Sequence, residues 1–156
     1  MKLGLIGLGR MGANMARRLR RGGIDVVAYN RNPDVTRALA AETGLTAVES
    51  LPELVAALAP PRTVWLMLPA GDITDTHLEQ LQPLLARGDL VVDGANSWYK
   101  DSLRRAARLA AVGIDFADAV GVFERPILER RDTRFDYGED RYLAVGEIDG
   151  EVIVVV

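Results

Sequence analysis

The sequence predicts an α/β protein with a doubly wound parallel sheet and a short C-terminal β-hairpin, and three observations support this prediction. Short apolar runs alternate with helical patterns along residues 2–117, which is typical of a sheet with helices on both faces. The first apolar run ends in a glycine-rich turn. Near the C-terminus, two strand-like runs flank Asp149-Gly150, a dipeptide typical of a tight hairpin.

The hydrophobic periodicity gives the elements in order. Strands are predicted at 2–7, 26–29, 63–68, 90–93 and 114–117. Helices are predicted between and after them at 10–21, 34–42, 51–58, 75–86 and 100–111. The hairpin would pair residues 141–147 with residues 151–156. We therefore expect a domain over residues 1–118 and a short hairpin tail over residues 119–156.

The turn after the first strand has the pattern Gly-x-Gly-x-x-Gly, formed by Gly7, Gly9 and Gly12. Gly7 would let the chain leave the strand, Gly9 would let the backbone approach a pyrophosphate, and Gly12 would let the helix pack close to the sheet. The helix N-terminus would then stabilise the phosphate charge, while Met11 is expected to point inward. Between a strand and a helix, this motif predicts a Rossmann-type dinucleotide-binding domain. A plain glycine turn is the alternative.

The end of the second strand indicates which dinucleotide would bind. An acidic residue at this place accepts the ribose 2′-hydroxyl of NAD, but this chain has Asn30 followed by Arg31. A neutral amide beside a guanidinium suits a 2′-phosphate, so the sequence predicts NADP(H) rather than NAD(H). The alternative for Arg31 is a solvated surface side chain. Arg10, inside the glycine loop, is either a further phosphate contact or a solvent-facing residue.

Composition narrows the class of protein. The 156 residues suit one domain or slightly more, and a hydrophobic content of 49% is ample for a packed core. The chain has no cysteine and a single histidine, His77, which excludes disulfides, a thiolate nucleophile and a multi-histidine metal site. His77 itself is expected on a helix surface. The N-terminal apolar run is too short for a signal peptide or a membrane span, so we expect a cytoplasmic protein without membrane contact.

Four sequence elements, in this order, resemble the N-terminal domain of 6-phosphogluconate dehydrogenase over about residues 1–118. They are Gly-Leu-Ile-Gly-Leu-Gly-Arg-Met-Gly-Ala-Asn-Met from residue 4, Tyr29-Asn30-Arg31-Asn32, Leu66-Met67-Leu68-Pro69-Ala70-Gly71 and Val91-Val92-Asp93-Gly94-Ala95-Asn96-Ser97. The resemblance implies an NADP-dependent oxidoreductase that acts on a 3-hydroxy sugar acid phosphate. It also implies that Asn96 lies where the nicotinamide and the sugar acid meet.

The motifs and the resemblance together give one set of candidate cofactor contacts. They are Gly7, Leu8, Gly9, Arg10, Met11, Gly12, Asn30, Arg31, Asn32, Leu68, Pro69, Ala70 and Asn96. For Asn96-Ser97 a helix cap is the alternative, and both roles could hold together. Trp98 is either a ligand contact or a surface residue, and Trp65 is expected in the core.

The family implies a lysine base and a glutamate acid, both well beyond Asn96 in the chain. The two lysines, Lys2 and Lys100, match neither position, and Ala119-Val120-Gly121-Val122-Phe123 replaces the family's Ser-Gly-Gly element. We expect no counterpart of the family's helical domain in these 156 residues. We therefore expect a truncated, catalytically incomplete member whose missing lysine self-association cannot supply. A sugar acid phosphate substrate and a homo-oligomer are left open as partners.

Residues 113–156 are similar to the C-terminal part of BrnT-type ribonuclease toxins. The shared positions are Gly113-Ile114-Asp115-Phe116-Ala117-Asp118-Ala119-Val120, Phe123, Pro126, Asp132-Thr133-Arg134, Gly138-Glu139-Asp140-Arg141 and the terminal valine run Val152-Ile153-Val154-Val155-Val156. This similarity suggests a fusion of two truncated genes, which long sequencing reads across the junction would test.

Two further functions stay open, namely a toxin-derived module that acts on RNA and a non-catalytic NADP(H) sensor. Four arginines of the tail could contact phosphates, namely Arg130, Arg131, Arg134 and Arg141. The tail is net acidic, so we favour a self-paired charge cluster over nucleic-acid binding.

Overall fold

The structure is a computed structural model that describes residues 2–118, 128–131, 142–148 and 151–155. The backbone divides into two units, Met1–Ala117 and Asp118–Val156. No helix within the described ranges is long and apolar enough to cross a membrane.

The first unit alternates strands and helices along the chain. Its elements are β1 (Lys2–Ile6), α1 (Arg10–Arg21), β2 (Asp25–Tyr29), α2 (Pro33–Thr43), β3 (Thr46–Val48), α3 (Leu51–Ala56), β4 (Thr63–Leu66), α4 (Asp72–Leu81), β5 (Leu90–Asp93), α5 (Tyr99–Ala110) and β6 (Asp115–Asp118). A short 3-10 turn, Gln82–Leu84, follows α4. The predicted order of strands and helices is therefore confirmed, with one strand, β3, added.

The strands form one sheet in the order β3-β2-β1-β4-β5-β6. The pairs β1 with β2, β1 with β4, β2 with β3 and β4 with β5 are all parallel. The chain reverses its direction of travel across the sheet between β1 and β4. This arrangement confirms the predicted doubly wound sheet and creates a crevice at the carboxyl ends of β1 and β4, where sheets of this kind bind ligands.

The two faces of the sheet pack against different helices because successive side chains of a strand point in opposite directions. Leu5 of β1 joins a cluster with Ala16 of α1 and Leu39 of α2. Ile6, the next residue, joins the other cluster, in which Leu54 of α3 and Leu109 of α5 are buried. Each face therefore has its own apolar layer, and the strand ends are left to carry the loops.

Two local expectations differ from the structure. The strand Thr46–Val48 was not predicted because three residues are too few to show a strand period. Met11 was expected to point inward, but 71% of this residue is exposed. The inward face of the first turn of α1 is occupied by Gly12, which leaves no room there for a longer side chain.

The second unit contains the strands β7 (Leu128–Arg131), β8 (Tyr142–Ile148) and β9 (Glu151–Val155), which form a sheet in the order β7-β8-β9. Both pairs are antiparallel, and β8 with β9 is the strand pair expected on the two sides of Asp149-Gly150. The strand β7 was not predicted, because three of its four residues are charged and it shows no alternation of apolar and polar residues. Charged residues are nevertheless common on edge strands. The turn residues Asp149-Gly150, the segment 119–127 and the side chains of the four tail arginines lie outside the described residues.

Asp89 ties the start of β5 to the start of β4. Its carboxylate is buried and accepts hydrogen bonds from the backbone N–H groups of Arg62 and Ala86 and from the Arg62 guanidinium, at 2.7, 2.9 and 2.9 Å. Burial raises the pKa of Asp89, but these hydrogen bonds outweigh it and hold the pKa below its ordinary value. A group with a depressed folded-state pKa stabilises the fold above its ordinary pKa and loses this effect as the pH falls.

We therefore expect Asp89→Asn to lower the free energy of unfolding by about 3 kcal/mol at pH 7. The asparagine amide has only one oxygen, so it cannot accept all the hydrogen bonds that the two backbone N–H groups and the Arg62 guanidinium donate to the carboxylate. The deficit should narrow as the pH falls below about 4. Urea unfolding at pH 7 and pH 3 measures both effects. Asp25→Asn, at a carboxylate that is 67% exposed and pairs with Arg20, is the control and should cost less than about 1 kcal/mol. Equal losses in the two variants would contradict the assigned role of Asp89.

Candidate functional site

Four loops and the first turn of α1 carry all the candidate cofactor contacts, and each loop follows the carboxyl end of a strand. They follow β1 (from Gly7), β2 (from Asn30), β4 (from Met67) and β5 (from Gly94). Because these strands are parallel neighbours, their carboxyl ends share one edge of the sheet. The structure therefore brings the sequence-predicted residues to one edge, the edge at which α/β sheets bind ligands.

The loop after β1 is held closely against the strands on both sides. Gly7 has a φ of +94°, a conformation that favours glycine, and its N–H donates to the carbonyl of Tyr29 at 3.0 Å. A Cβ at Gly7 would overlap the carbonyl oxygen of Met67. The first glycine is thus required by both its backbone conformation and its neighbour.

The other two glycines of the motif have opposite surroundings. A Cβ on Gly12, in the first turn of α1, would overlap the carbonyl oxygen of Gly7 and lie 3.2 Å from the Cβ of Met67. A Cβ on Gly9, the residue before α1, would meet no atom of the described residues within 4 Å. Gly12 is therefore required for packing, whereas the space at Gly9 is open to a ligand.

The N-terminus of α1 faces this open space with no negative charge in its first turn. Gly9 caps the helix without a side-chain hydrogen bond, so the first N–H groups are available to an anion. Arg10 and Met11 are both exposed here, and Arg10 forms no ion pair with the described residues. Leu8, by contrast, is buried in the cluster beneath the loop.

Asn30 has a role that the sequence did not reveal. Its side-chain oxygen accepts a hydrogen bond from the N–H of Leu8 at 3.0 Å, and its amide donates to the carbonyl of Asn32 at 3.2 Å. Asn30 therefore joins the glycine loop to the end of β2. A primary amide carries two hydrogens, and the second one of Asn30 makes no hydrogen bond to the residues that the structure describes.

The residues after Asn30 differ in what their side chains do. Asn32 caps α2 by accepting a hydrogen bond from the N–H of Asp34 at 3.0 Å, and Pro33 begins the helix. Arg31 is exposed and has no carboxylate partner among the residues that the structure describes. Arg31 is therefore the cation at this strand end that remains available to a ligand.

The loop after β4 exposes small apolar residues and is tied to α4 through its backbone. Leu68 is half-buried and packs against the larger core cluster, while Pro69 and Ala70 are exposed. The carbonyl of Pro69 accepts a hydrogen bond from the hydroxyl of Thr74 at 2.9 Å, which ties the loop to α4. Pro69 and Ala70 thus form a fixed, exposed apolar surface at the strand end.

The loop after β5 exposes Asn96 and Trp98 and turns Ser97 inward. Asn96 is exposed, and 58% of Trp98 is exposed. The interpretation of Asn96-Ser97 as a helix cap is wrong, because Trp98 is the residue that precedes α5 and it makes no capping hydrogen bond. The hydroxyl of Ser97 donates to Asp93 at 3.1 Å instead.

Beneath this edge lies an ion-pair network that was not predicted from the sequence. Arg105 of α5 is only 2% exposed and contacts the carboxylates of Asp75 at 2.8 Å and Asp93 at 3.0 Å. It also donates to the hydroxyl of Ser97 at 2.7 Å and the carbonyl of Gly71 at 3.3 Å. The signal available in the sequence was an aspartate at the end of an apolar strand, four residues before a serine.

Asp75 and Arg105 both keep their charges at neutral pH. The hydrogen bond from Arg105 lowers the pKa of Asp75, against the opposing effect of burial. For Arg105, burial lowers the pKa. Its hydrogen bond to Asp75 and the nearby negative charges outweigh the effect of burial and raise the pKa of Arg105 above its ordinary value. The guanidinium and the Asp75 carboxylate are therefore a stable charged pair.

Residues that could suggest other chemistry have ordinary surroundings. His77 is half-buried in α4, where its Nδ1 lies 2.7 Å from the carbonyl of Ile73. Trp65 packs within the sheet, as expected. The ammonium of Lys100 lies 4.8 Å from the ring centroid of Trp98, and Lys2 begins β1.

The fold and the glycine-rich loop at its crevice define a dinucleotide-binding domain of the Rossmann type. Residues 2–122 match the family described as the NAD binding domain of 6-phosphogluconate dehydrogenase. The chain belongs to this family.

Curated relatives agree with the family. The chain is 43% identical over 118 residues to the decarboxylating 6-phosphogluconate dehydrogenase of Treponema pallidum. The matched region covers 73% of this chain and 24% of that protein. It is 40% identical over 121 residues to the NAD(+)-dependent, decarboxylating 6-phosphogluconate dehydrogenase of Haloferax volcanii. This matched region covers 78% of this chain and 40% of that protein. The chain thus spans between a quarter and two-fifths of these relatives.

Solved structures show the same fold. The 6-phosphogluconate dehydrogenase of Plasmodium falciparum, solved in its apo form and with its cofactor NADP+ or its substrate, has a TM-score of 0.70 and 24% identity over 84% of this chain and 27% of that chain. The 3-hydroxyisobutyrate dehydrogenase of Mycobacterium tuberculosis has a TM-score of 0.68 and 25% identity over 81% of this chain and 40% of that chain. The similarity of residues 113–156 to BrnT-type toxins gains no support from these comparisons.

Proposed function

We propose that the chain binds NADP(H) and is the cofactor-binding part of a 6-phosphogluconate dehydrogenase-type oxidoreductase. The observation that carries the choice of NADP(H) is the end of β2, where Arg31 is exposed without a carboxylate partner in the described chain. No acid stands there to repel a 2′-phosphate, and a guanidinium can bind phosphate in a bidentate manner. The Plasmodium relative binds NADP+, in agreement, while the Haloferax relative is NAD(+)-dependent.

The proposed contacts with the pyrophosphate and the adenosine ribose come from the glycine loop, the N-terminus of α1 and Asn30. The pyrophosphate would lie at Gly9 and the N-terminus of α1, where the space beside the backbone is open and the first helical N–H groups are available. The spare amide hydrogen of Asn30 could reach the ribose or its phosphate. Arg10 and Met11 would border the pyrophosphate from the exposed side of the helix.

The nicotinamide would lie between the loops after β4 and β5. Leu68, Pro69 and Ala70 offer an apolar surface, and the exposed amide of Asn96 could donate to or accept from the ring's carboxamide or a sugar acid. When bound, NADP+ supplies hydride acceptance. Oxidation of a 3-hydroxy sugar acid phosphate would also need a base and an acid, and the sequence positions of Lys2 and Lys100 do not match the one that the family implies for its lysine base.

Arg31→Ala tests the choice of cofactor. The substitution should weaken NADPH binding at least tenfold and change NADH binding less than twofold, because only NADPH presents a 2′-phosphate to the guanidinium. Fluorescence titration of the purified chain with each nucleotide measures both affinities.

Arg18→Ala is the matched control, since Arg18 is an exposed arginine of α1 with no ion pair among the described residues. It should leave both affinities unchanged. Equal losses for NADPH and NADH in Arg31→Ala, or a wild-type preference for NADH, would overturn the assignment of NADP(H). Absence of binding to either nucleotide would overturn the proposed function itself.

A further inference from the structure

Arg105 lies under the two loops that flank the proposed nicotinamide site. Its Nη2 donates to the carbonyl of Gly71, which ends the loop after β4. Its Nη1 donates to the hydroxyl of Ser97, in the loop after β5, and to the carboxylate of Asp93 at the end of that strand. One buried side chain on α5 therefore connects both loops.

The connection continues into the backbone of the loop that carries Asn96. The second carboxylate oxygen of Asp93 accepts a hydrogen bond from the N–H of Ala95 at 2.9 Å, and the N–H of Ser97 donates to the carbonyl of Ala95 at 2.8 Å. Asn96 lies between these two anchored residues, with its own side chain exposed. The position of Asn96 thus depends on the bonds that Asp93 and Ser97 make.

The loop after β4 is anchored from the other side. Asp75, in the first turn of α4, accepts from Nε of Arg105, and its N–H donates to the carbonyl of Gly71 at 3.1 Å. The planar guanidinium therefore directs three nitrogen atoms toward α4, Gly71 and the loop after β5 at once. A lysine ammonium is a compact charge and could not hold these separate directions.

We propose that Arg105 is a positioning residue that sets the affinity of the chain for the nicotinamide half of the dinucleotide. It acts by fixing the distance between Ala70 and Asn96, and it makes no contact with the adenosine half, which is bound at the ends of β1 and β2. This inference rests on the proposed function.

The test compares two ligands in the full chain. NADPH occupies both halves of the site, whereas adenosine 2′,5′-bisphosphate occupies only the adenosine half. Arg105→Lys should weaken NADPH binding at least tenfold and leave the affinity for the bisphosphate within twofold of wild type. A loss of fold would reduce both affinities together, so the ratio of the two separates positioning from stability.

Ser97→Ala provides a second, milder variant that keeps the buried charges paired. It removes one of the two bonds that Arg105 makes to the β5 side and should weaken NADPH binding about threefold, again without effect on the bisphosphate. Arg104→Lys is the matched control, because Arg104 is the exposed neighbour that bonds Asp75 and Asp101 from outside. It should change neither affinity.

The outcomes separate the two proposals. Wild-type chain that binds neither NADPH nor NADH would overturn the proposed function. Wild-type chain that prefers NADH would overturn the assignment of NADP(H), and the ratio of NADH affinity to AMP affinity in the same variants would then decide the role of Arg105. A further outcome is that the wild type binds while both Arg105→Lys and Ser97→Ala keep the wild-type ratio of NADPH affinity to bisphosphate affinity. In that case Arg105 has only a structural role and the inference is overturned. If Arg105→Lys fails to fold, the ratio in Ser97→Ala decides.

Discussion

Gly12→Ala is expected to lower the free energy of unfolding by about 3 kcal/mol or more, although alanine normally stabilises a helix relative to glycine by about 0.5–1 kcal/mol. The added methyl group would overlap the carbonyl oxygen of Gly7, which belongs to the backbone and cannot rotate away. Relief would require α1 to move off the sheet, and this would open the contact between Ala16 and Leu5 in the core. Urea unfolding followed by circular dichroism measures the loss.

Gly22→Ala, at the other end of the same helix, makes a matched control. Gly22 has a φ of −80°, and a Cβ there would lie 3.4 Å from the nearest atom, the carbonyl oxygen of Leu19. The control should change stability by less than about 1 kcal/mol. If Gly12→Ala proved as stable as wild type, the close approach of α1 to β1 would not be a requirement of the fold.

The fold was largely predictable because its main signals are local. The alternation of apolar strands with helical patterns has a strong period, and the glycine motif fixes the place where strand and helix meet. The strand Thr46–Val48 could not be predicted, since its three residues gain their structure from pairing with β2. The outward position of Met11 follows from the close packing of Gly12, which a helical wheel does not contain.

The candidate site was predictable as a set of loops but not as a set of contacts. The sequence motifs and the family resemblance named residues after four strands as contacts of one cofactor, and the parallel sheet places those strand ends at one edge. It did not indicate that Asn30 bonds Leu8 or that Arg105 bonds Ser97. These partners are 22 and 8 residues apart, and only the packing of separate elements brings them together.

Gly9→Ala is expected to separate binding from folding at the same loop. Gly9 has a φ of −64° and a ψ of −173°, which alanine adopts readily, and a Cβ there would meet no protein atom within 4 Å. The stability of the variant should equal or exceed that of wild type by up to about 1 kcal/mol, because alanine restricts the unfolded chain.

Cofactor affinity should respond in the opposite direction. The methyl group that Gly9→Ala adds would fill the space through which the proposed pyrophosphate approaches the backbone, so NADPH and NADH should both bind at least tenfold more weakly. Titration with both nucleotides, beside an unfolding curve, measures the two effects in one sample. Undiminished binding of both would mean that the phosphates do not approach Gly9. The methyl group of Gly12→Ala would overlap the backbone, whereas that of Gly9→Ala would only fill space open to a ligand. The two variants therefore distinguish the glycine that the fold requires from the glycine that the ligand requires.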